Sequence, residues 1–210
     1  MSDTEKPKLG MRAPLGIKRT VETGQVKQSF SHGRQNTVVV EVKRRRILGK
    51  PGEAEALETL AYMLGGGPTS ALYEALVVEE KIAVGAGAYY MGSAVDDTRL
   101  WVYATPAPGV ALEALDAAIE RVLRRFGEEP IDADHLQRAK TRLIADAVYA
   151  QDSQASLARW YGESLATGLA IEDVVAWPDR MERVTAADVQ NAARKWLDRR
   201  KAVTGYLLPA

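Results

Sequence analysis

The sequence contains no cysteine and only two histidines. The lack of cysteine excludes disulfides, thiol nucleophiles and cysteine-based zinc sites. His32 and His135 lie more than a hundred positions apart, whereas a histidine zinc motif needs two imidazoles about one helical turn apart. We therefore expect this chain to hold no metal site. No residue of the sequence marks a bound cofactor or a catalytic centre either. His135 is interpreted as a partly exposed residue in the first turn of a helix.

Several other signals are missing as well. No run of about 18 apolar residues could span a membrane, and the polar start MSDTEKPKLG has no apolar segment typical of a secretory signal. We therefore expect a cytoplasmic protein. No Gly-x-Ser-x-Gly nucleophile elbow occurs. The stretch Gly65–Ser70 lacks the Gly-Lys-Ser/Thr ending of a phosphate-binding loop, so it is interpreted as a helix stop.

Charge is distributed unevenly along the chain. The net charge is zero, but residues 1–50 hold 12 Lys and Arg against 4 Asp and Glu, while residues 51–210 hold 16 against 24. With 46% apolar residues and a mean hydropathy of -0.22, the whole is typical of a globular protein. The uneven distribution of charge indicates two segments with different origins or partners.

The N-terminal segment is basic and poor in large apolar residues. Residues 1–36 are predicted to form a disordered basic arm, and residues 37–51 a short strand over Thr37–Val42 followed by a basic linker. The candidate interaction patch consists of Lys43, Arg44, Arg45, Arg46 and Lys50. It could bind RNA, the ribosome or an acidic protein surface. The alternative is a solvated flank of the strand, and the residues favour neither.

Residues 52–210 show the pattern of an α+β domain dominated by helices. A helix from Glu53 ends at the glycines 65–67, and a second begins at Thr69 or Ser70. Two apolar runs predict an antiparallel hairpin, over residues 82–91 and 100–104, with a turn at Asp96 and Asp97. Further helices follow, with caps predicted at Asp132 and Thr185. Ala202–Leu208 is predicted to be a final strand.

Two groups of residues have only weak claims to chemistry. Adjacent carboxylates are interpreted as turn or solvated residues and not as an acid–base pair; they are Glu79–Glu80, Asp96–Asp97, Glu128–Glu129 and Glu172–Asp173. The four tryptophans, at positions 101, 160, 177 and 196, stand in apolar periodic contexts. Core packing is the default prediction for them.

Motifs spread over residues 52–208 resemble the C-terminal, non-zinc domain of M16-family metallopeptidases, the insulinase and pitrilysin type. They are the string from Leu64 to Leu76 (LGGGPTSALYEAL), Tyr89, Asp97-Thr-Arg, the run RAKTRLIAD from Arg138, Asp152-Ser-Gln, and the ending VTGYLL from Val203. The resemblance implies an antiparallel sheet covered by helices on one side. It also implies a homologous front half that carries an inverted His-x-x-Glu-His zinc motif, absent from this chain.

The same resemblance bears on activity. In the family the second half often supplies an Arg and a Tyr, seven positions apart, that hold the substrate carbonyl. Val77 and Val84 occupy those two places here. The chain therefore resembles the C-terminal half of the zinc-bearing kind without its front half. We expect it to be catalytically silent alone and able at most to form part of a peptide-binding chamber.

A shorter resemblance covers the N-terminal segment. The stretches LGIKR from Leu15, GQVKQSFSHGR from Gly24 and VVVEVKRRR from Val38 are similar to the extreme N-terminus of bacterial translation initiation factor two. No GTPase motif follows, so no initiation activity is implied. Fusion, gene rearrangement or an assembly artefact would each explain the pairing.

Three functional hypotheses remain open from the sequence. The first is a truncated M16 peptidase domain, silent alone. The second is a non-catalytic interaction subunit that pairs with a zinc-bearing M16 partner, so that peptide binds only in the complex. The third is a ribosome- or RNA-associated module that acts through the basic arm.

Overall fold

A computed structural model describes the strands at residues 23–29 and 35–41 and, with side chains, residues 52–95 and 98–207. The chain divides between Arg45 and Arg46 into two compact units. The described part of the first unit consists of strands, whereas the second combines a hairpin with helices. No helix among the described residues is long and apolar enough to cross a membrane.

The first unit contains an antiparallel strand pair. β1 (Thr23–Ser29) pairs with β2 (Gln35–Glu41), and Val26 lies opposite Val38. The β-branched run of β2 explains why a strand is predicted at almost the same place. β1 lies inside the stretch for which disorder is predicted, and there the structure has a strand.

The second unit opens on helix α1 (Glu53–Gly65), the helix predicted from Glu53. Leu57, Leu60 and Leu64 recur at helical spacing and are at most 6% exposed. This one-sided periodicity is what drives an amphipathic helix onto a core. Glu55 lies in the first turn, where a carboxylate is favoured by the helix dipole.

The next helical stretch changes its hydrogen-bond spacing midway. α2 (Ala71–Tyr73) begins after Ser70, as predicted, and continues directly into a π-helical segment (Glu74–Glu79). The amide of Glu80 donates to the carbonyl of Ala75 at 2.9 Å, five residues back. A π-turn is rare and often accompanies a functional site.

The predicted antiparallel hairpin is confirmed. β3 (Ala83–Met91) pairs with β4 (Arg99–Pro106), with an irregularity between Ala83 and Gly85. The turn predicted at residues 96–97 lies outside the described residues. Exposed and partly buried residues alternate along β4, so one face of the hairpin packs inward and the other faces out.

Six helices complete the described part of the second unit, and their caps follow the sequence. The Asp132 carboxylate accepts from the amides of Asp134 and His135, and Thr185 and Asp188 form a reciprocal capping box. Both caps are predicted correctly. The helices are α3 (Leu112–Glu128), α4 (Ala133–Ala150), α5 (Gln154–Ala166), α6 (Ile171–Val175), α7 (Trp177–Glu182) and α8 (Ala186–Trp196).

α1 is the centre of the core. It packs against the inner face of the hairpin, mainly β3, and against α4, α7 and α8. Leu60, Leu64, Leu72, Leu76 and Val189 are fully buried there. The fold is therefore α+β, with helices covering one face of an antiparallel sheet.

Gly65 allows α1 to touch the sheet. A Cβ built on Gly65 would lie 1.8 Å from the amide nitrogen of Ala88 and 2.3 Å from the carbonyl carbon of Gly87. No other amino acid fits at this distance, so the first glycine of the run 65–67 sets how closely helix and strand approach.

The C-terminal segment is the clearest error of the sequence-based prediction. Ala202–Leu207 follow a 3₁₀ turn (Arg199–Lys201) and do not form a strand, and Val203 and Leu207 are almost fully exposed. An apolar, β-prone run becomes a strand only where a neighbour completes its hydrogen bonds. None of the strands in the described part of the chain pairs with it.

Candidate functional site

The outer face of the β3–β4 hairpin carries three exposed aromatic rings. Tyr89 lies directly opposite Trp101 in the register, and Tyr103 follows two residues later. The Tyr89 and Trp101 rings are nearly parallel, with centroids 6.2 Å apart, and the Tyr103 centroid lies 6.3 Å from that of Tyr89. The three residues are 48%, 44% and 55% exposed. We call Tyr89, Trp101 and Tyr103 the aromatic face.

Strand alternation and one glycine place these rings. The inward positions are filled by small or half-buried residues such as Ala88 and Val102, so the large rings occupy the opposite face. Gly87 lies opposite Tyr103, and a Cβ there would be 2.5 Å from the Tyr103 hydroxyl oxygen. The Tyr103 ring therefore lies across the neighbouring strand in space that only glycine leaves open.

Exposed tyrosine and tryptophan on a flat strand surface are suited to holding another chain. Their rings offer large apolar contact areas with polar ends, which is why these residues dominate binding hot spots. Val84 and Met91, 59% and 45% exposed, extend the apolar surface along β3. Within the described residues β3 and β4 pair only with each other, and a free strand edge can accept an extended peptide by β-augmentation. The aromatic face can therefore bind an extended peptide or a second protein surface.

The positions that correspond to the family's Arg and Tyr do not form a polar pair. Val77 belongs to the π-helical segment and packs partly buried against the core, while Val84 is exposed on β3. An isopropyl group donates no hydrogen bond, so neither residue can hold a substrate carbonyl.

Zinc does not fit the residues that the structure describes. Among them no group of three or more His, Cys, Asp or Glu side chains could hold a metal ion. His32 lies outside these residues. His135 stands half-buried in the first turn of α4, as the sequence predicts. Burial lowers the pKa of His135 and the charge of Arg138 acts in the same direction, against the carboxylates of Asp132 and Glu74.

The basic patch predicted at Lys43, Arg44, Arg45, Arg46 and Lys50 lies outside the described residues and stays a prediction. Two of the adjacent carboxylates have ordinary surface roles. Glu80 forms an ion pair with Arg121 at 2.8 Å, and the Asp173 carboxylate accepts from the amide of Ala170 at 2.9 Å. Asp96 and Asp97 are not among the described residues.

The prediction of core packing is wrong for two of the four tryptophans. Trp101 and Trp196 are 44% and 37% exposed, whereas Trp160 and Trp177 are half-buried and meet edge to face. Trp101 was missed because apolar periodicity does not tell which face of a two-sided strand is covered. The available signal was the alternation Trp101-x-Tyr103 beside small inward residues.

Family models match two parts of the chain. The model of the peptidase M16 inactive domain matches residues 32–143, and that of the bacterial translation initiation factor IF-2 associated region matches residues 12–51. The two matches overlap over residues 32–51, close to the division between the two units.

The curated relatives match the N-terminal part only. The chain is 88% identical over 56 residues to translation initiation factor IF-2 of Rhizorhabdus wittichii and 77% identical over 56 residues to that of Zymomonas mobilis. These matches cover 26% and 27% of this chain but only 6% of each relative. The likeness therefore spans only a short segment of those factors.

Solved structures are similar to most of the chain. The inactive peptidase domain from Bordetella parapertussis has a TM-score of 0.69 at 22% identity, covering 80% of this chain and 89% of that one. A protease from Helicobacter pylori has a TM-score of 0.64 at 21% identity, covering 70% of this chain and 35% of that one. These likenesses show the fold. Together with the model match over residues 32–143, they show that the chain belongs to the peptidase M16 inactive domain family.

Proposed function

We propose that this chain is the non-catalytic half of an M16-type zinc peptidase and forms one wall of a peptide-binding chamber. The observation that carries the proposal is the aromatic face, a surface suited to peptide on a domain whose described residues do not fit zinc. In this proposal the chain binds peptide and leaves hydrolysis to another M16 half.

Zinc and the general base come, on this proposal, from an M16 half that carries the His-x-x-Glu-His motif. The matched part of this chain covers about a third of the Helicobacter pylori protease, 35% of its length. That protein is therefore long enough to hold further domains beside the one resembled here. A chamber between two halves needs a surface on each, and the aromatic face is the surface that this half offers.

The first experiment measures zinc content and cleavage of a quenched fluorescent peptide library by the purified full chain with added zinc. We expect no stoichiometric zinc and no turnover. Tight zinc together with turnover that a chelator abolishes would overturn the proposal.

A second experiment tests the aromatic face itself, by fluorescence anisotropy of labelled library peptides on the full chain. We expect Trp101→Ala and Tyr103→Ala each to weaken binding about fivefold or more, because hot-spot aromatics contribute more than about 1 kcal/mol each. Tyr149→Ala is the matched control, since Tyr149 is 72% exposed on α4 and lies off the hairpin. Equal affinity in all four proteins would show that peptide does not bind there.

The interaction-subunit hypothesis makes a separate demand, namely a zinc-bearing M16 partner. We expect a subunit with a His-x-x-Glu-His motif to co-purify with the full chain and to gain peptidase activity in the complex. Trp101→Ala should reduce that gain. A partner that binds without any change in activity would favour a purely structural role.

A ribosome- or RNA-associated function is the second candidate, and the 88% identity to an initiation factor over 56 residues favours it. The patch Lys43, Arg44, Arg45, Arg46 and Lys50 would supply the charge. Binding of the full chain to ribosomal RNA should fall steeply with added salt, because each neutralised phosphate releases counterions. Replacing Arg44–Arg46 by glutamine should reduce that salt slope. RNA binding that depends neither on salt nor on the arginines at 44–46 would exclude this function.

A further inference from the structure

A crevice lies between helices of the second unit, away from the aromatic face. It is formed where α2 and the π-helical segment meet the connection between α3 and α4. It consists of two adjoining cavities of about 290 Å³ and 810 Å³, which share Glu74, Asp132 and His135. Both are open to solvent, and together they are large enough to accept a small ligand.

The first cavity has an apolar floor and an acidic rim. Met63 and Val122, 1% and 6% exposed, lie at its base with Phe126 and Ile131 beside them. The rim carries four carboxylates and one guanidinium, from Glu74, Glu79, Glu129, Asp132 and Arg125. His135 adds no charge at neutral pH, because burial lowers its pKa below the ordinary value. This end of the crevice is therefore negative.

The π-helical segment brings two of these carboxylates together. Glu74 and Glu79 are five residues apart. In an α-helix of 3.6 residues per turn they would point about 140° away from each other. The i→i+5 spacing of a π-turn returns the chain to nearly the same face after five residues, so both carboxylates line one cavity. Neither accepts a hydrogen bond or forms an ion pair with any residue in the described part of the chain.

The second cavity is basic at its far end. Arg138 and Arg142 line it together with Tyr62, Thr69 and Ser70. His135, Arg138 and Arg142 follow one face of α4, and about 10 Å of helix separates the first from the last. Arg138 is 3.9 Å from Asp132 and Arg142 is 3.4 Å from Asp146, in pairs whose side chains are more than half exposed. Such pairs are weak and leave both cations able to bind an anion.

We propose that this crevice binds the C-terminal lysine or arginine residue of a peptide. The aliphatic stem lies on the half-buried Phe126 and Ile131, and the cationic end lies between Glu74 and Glu79. The terminal carboxylate faces Arg138 and Arg142. A ligand with a cation, an apolar stem and an anion matches the crevice in that order. Because the crevice is separate from the aromatic face, this proposal can hold whether or not the chain lines a peptidase chamber.

The test titrates the full chain with three matched probes and follows the amide NMR signals of Ser70, Glu79 and His135. The first probe, Nα-acetyl-lysine, mimics the peptide end. The second, Nα-acetyl-lysine amide, lacks the carboxylate, and the third, Nα-acetyl-norleucine, lacks the cation. We expect saturable binding of acetyl-lysine, and about threefold weaker binding of each of the other two, as expected for the loss of one exposed charge interaction.

Two variants assign the two ends of the crevice. Glu79→Gln should weaken acetyl-lysine and its amide about threefold but leave acetyl-norleucine unchanged. Arg142→Gln should weaken acetyl-lysine but not its amide. Both side chains are exposed, so neither change should affect folding. Glu163→Gln and Arg159→Gln on α5 are matched controls, because these exposed residues do not line the crevice.

Three results would overturn the proposal. The first is no saturable binding of acetyl-lysine, and the second is equal affinity for all three probes. The third is tighter binding of free lysine than of acetyl-lysine, which would point to an amino acid and not to a peptide end. Loss of binding in the α5 control variants would also count against the crevice.

Discussion

Gly65 lets helix α1 lie directly against strand β3, because glycine has no Cβ. Because a methyl group on Gly65 would overlap the backbone of Ala88 at 1.8 Å, we expect Gly65→Ala to lower the free energy of unfolding by more than about 4 kcal/mol or to prevent folding. The overlap is with backbone and not with a flexible side chain, so no rotamer change relieves it. Urea denaturation followed by circular dichroism measures the loss.

Gly162→Ala is the matched control. Gly162 lies in the middle of α5, and a Cβ there would meet nothing within 4 Å. Alanine is the better helix former, so this change should raise the free energy of unfolding by about 0.5–1 kcal/mol. Equal effects of the two substitutions would show that close approach at Gly65 is not what the glycine provides.

Glu58 makes stability depend on pH near neutrality. Burial raises the pKa of Glu58 from 4.5 to about 7 and the charge of Glu55 adds to this, although the Trp177 indole N–H, 3.0 Å away, acts against it. The folded state then holds the proton more tightly than the unfolded state. The contribution of Glu58 to the free energy of unfolding is therefore largest below pH 4.5 and falls as the pH rises toward 7, by at most about 3 kcal/mol.

Glu58→Gln should remove that slope. The amide does not titrate, and its oxygen can still accept from Trp177. We expect the variant to be more stable than the parent chain at pH 8 and no more stable at pH 4.5, as measured by chemical denaturation across that range. Glu163→Gln, at an exposed position on α5, should leave the pH profile unchanged. A parent chain whose stability rises between pH 4.5 and 7 while that of Glu58→Gln does not would contradict the assignment.

At the scale of elements, a buried lysine ties α4 to the end of α7. Lys140 is 7% exposed. Its ammonium group donates to the carbonyls of Glu182 at 2.7 Å and Val184 at 3.3 Å. These carbonyls lie where α7 ends and the turn into α8 begins. One side chain therefore links α4 to the segment that joins α7 and α8. The run RAKTRLIAD thus contains a structural lysine.

Lys140→Met should therefore cost about 2–3 kcal/mol, because methionine fills the space but leaves two carbonyls without their charged donor. Lys201→Met is the control, since Lys201 also donates to a backbone carbonyl but is exposed, and its loss should cost less than about 0.5 kcal/mol. Thermal unfolding of both variants tests the difference. A loss of similar size in both would mean that burial at Lys140 is not what matters.

The elements that could be predicted from sequence are those that local patterns determine. The hairpin follows from two apolar runs joined by a polar turn, and the caps at Asp132 and Thr185 follow from side chains that bond their own backbone. The π-turn at Glu74–Glu79 could not be predicted, because its register depends on what the helix packs against. The strand expected at Ala202–Leu208 failed for the related reason that a strand needs a partner. The aromatic face was missed because alternation does not say which side the helices cover.

On the scale of the whole molecule, the charge asymmetry did indicate two pieces. The basic first fifty residues contain the likeness to IF-2, and the acidic remainder carries most of the M16 match. What the sequence alone could not predict is that the division falls between Arg45 and Arg46. That division lies inside the basic run, because compactness depends on contacts and not on composition.

The second unit should fold without the first. The inactive domain from Bordetella parapertussis is 89% covered by the match to this chain, so the fold exists in a chain with little else attached. A domain of about 150 residues buries enough surface to be stable alone. We expect residues 46–210 to keep the thermal midpoint and the near-ultraviolet circular dichroism of the full chain. All four tryptophans, at positions 101, 160, 177 and 196, lie in this unit, so that signal reports on its packing directly. A truncated protein that retains helical signal but loses the aromatic bands would show that the first unit is needed to order the second.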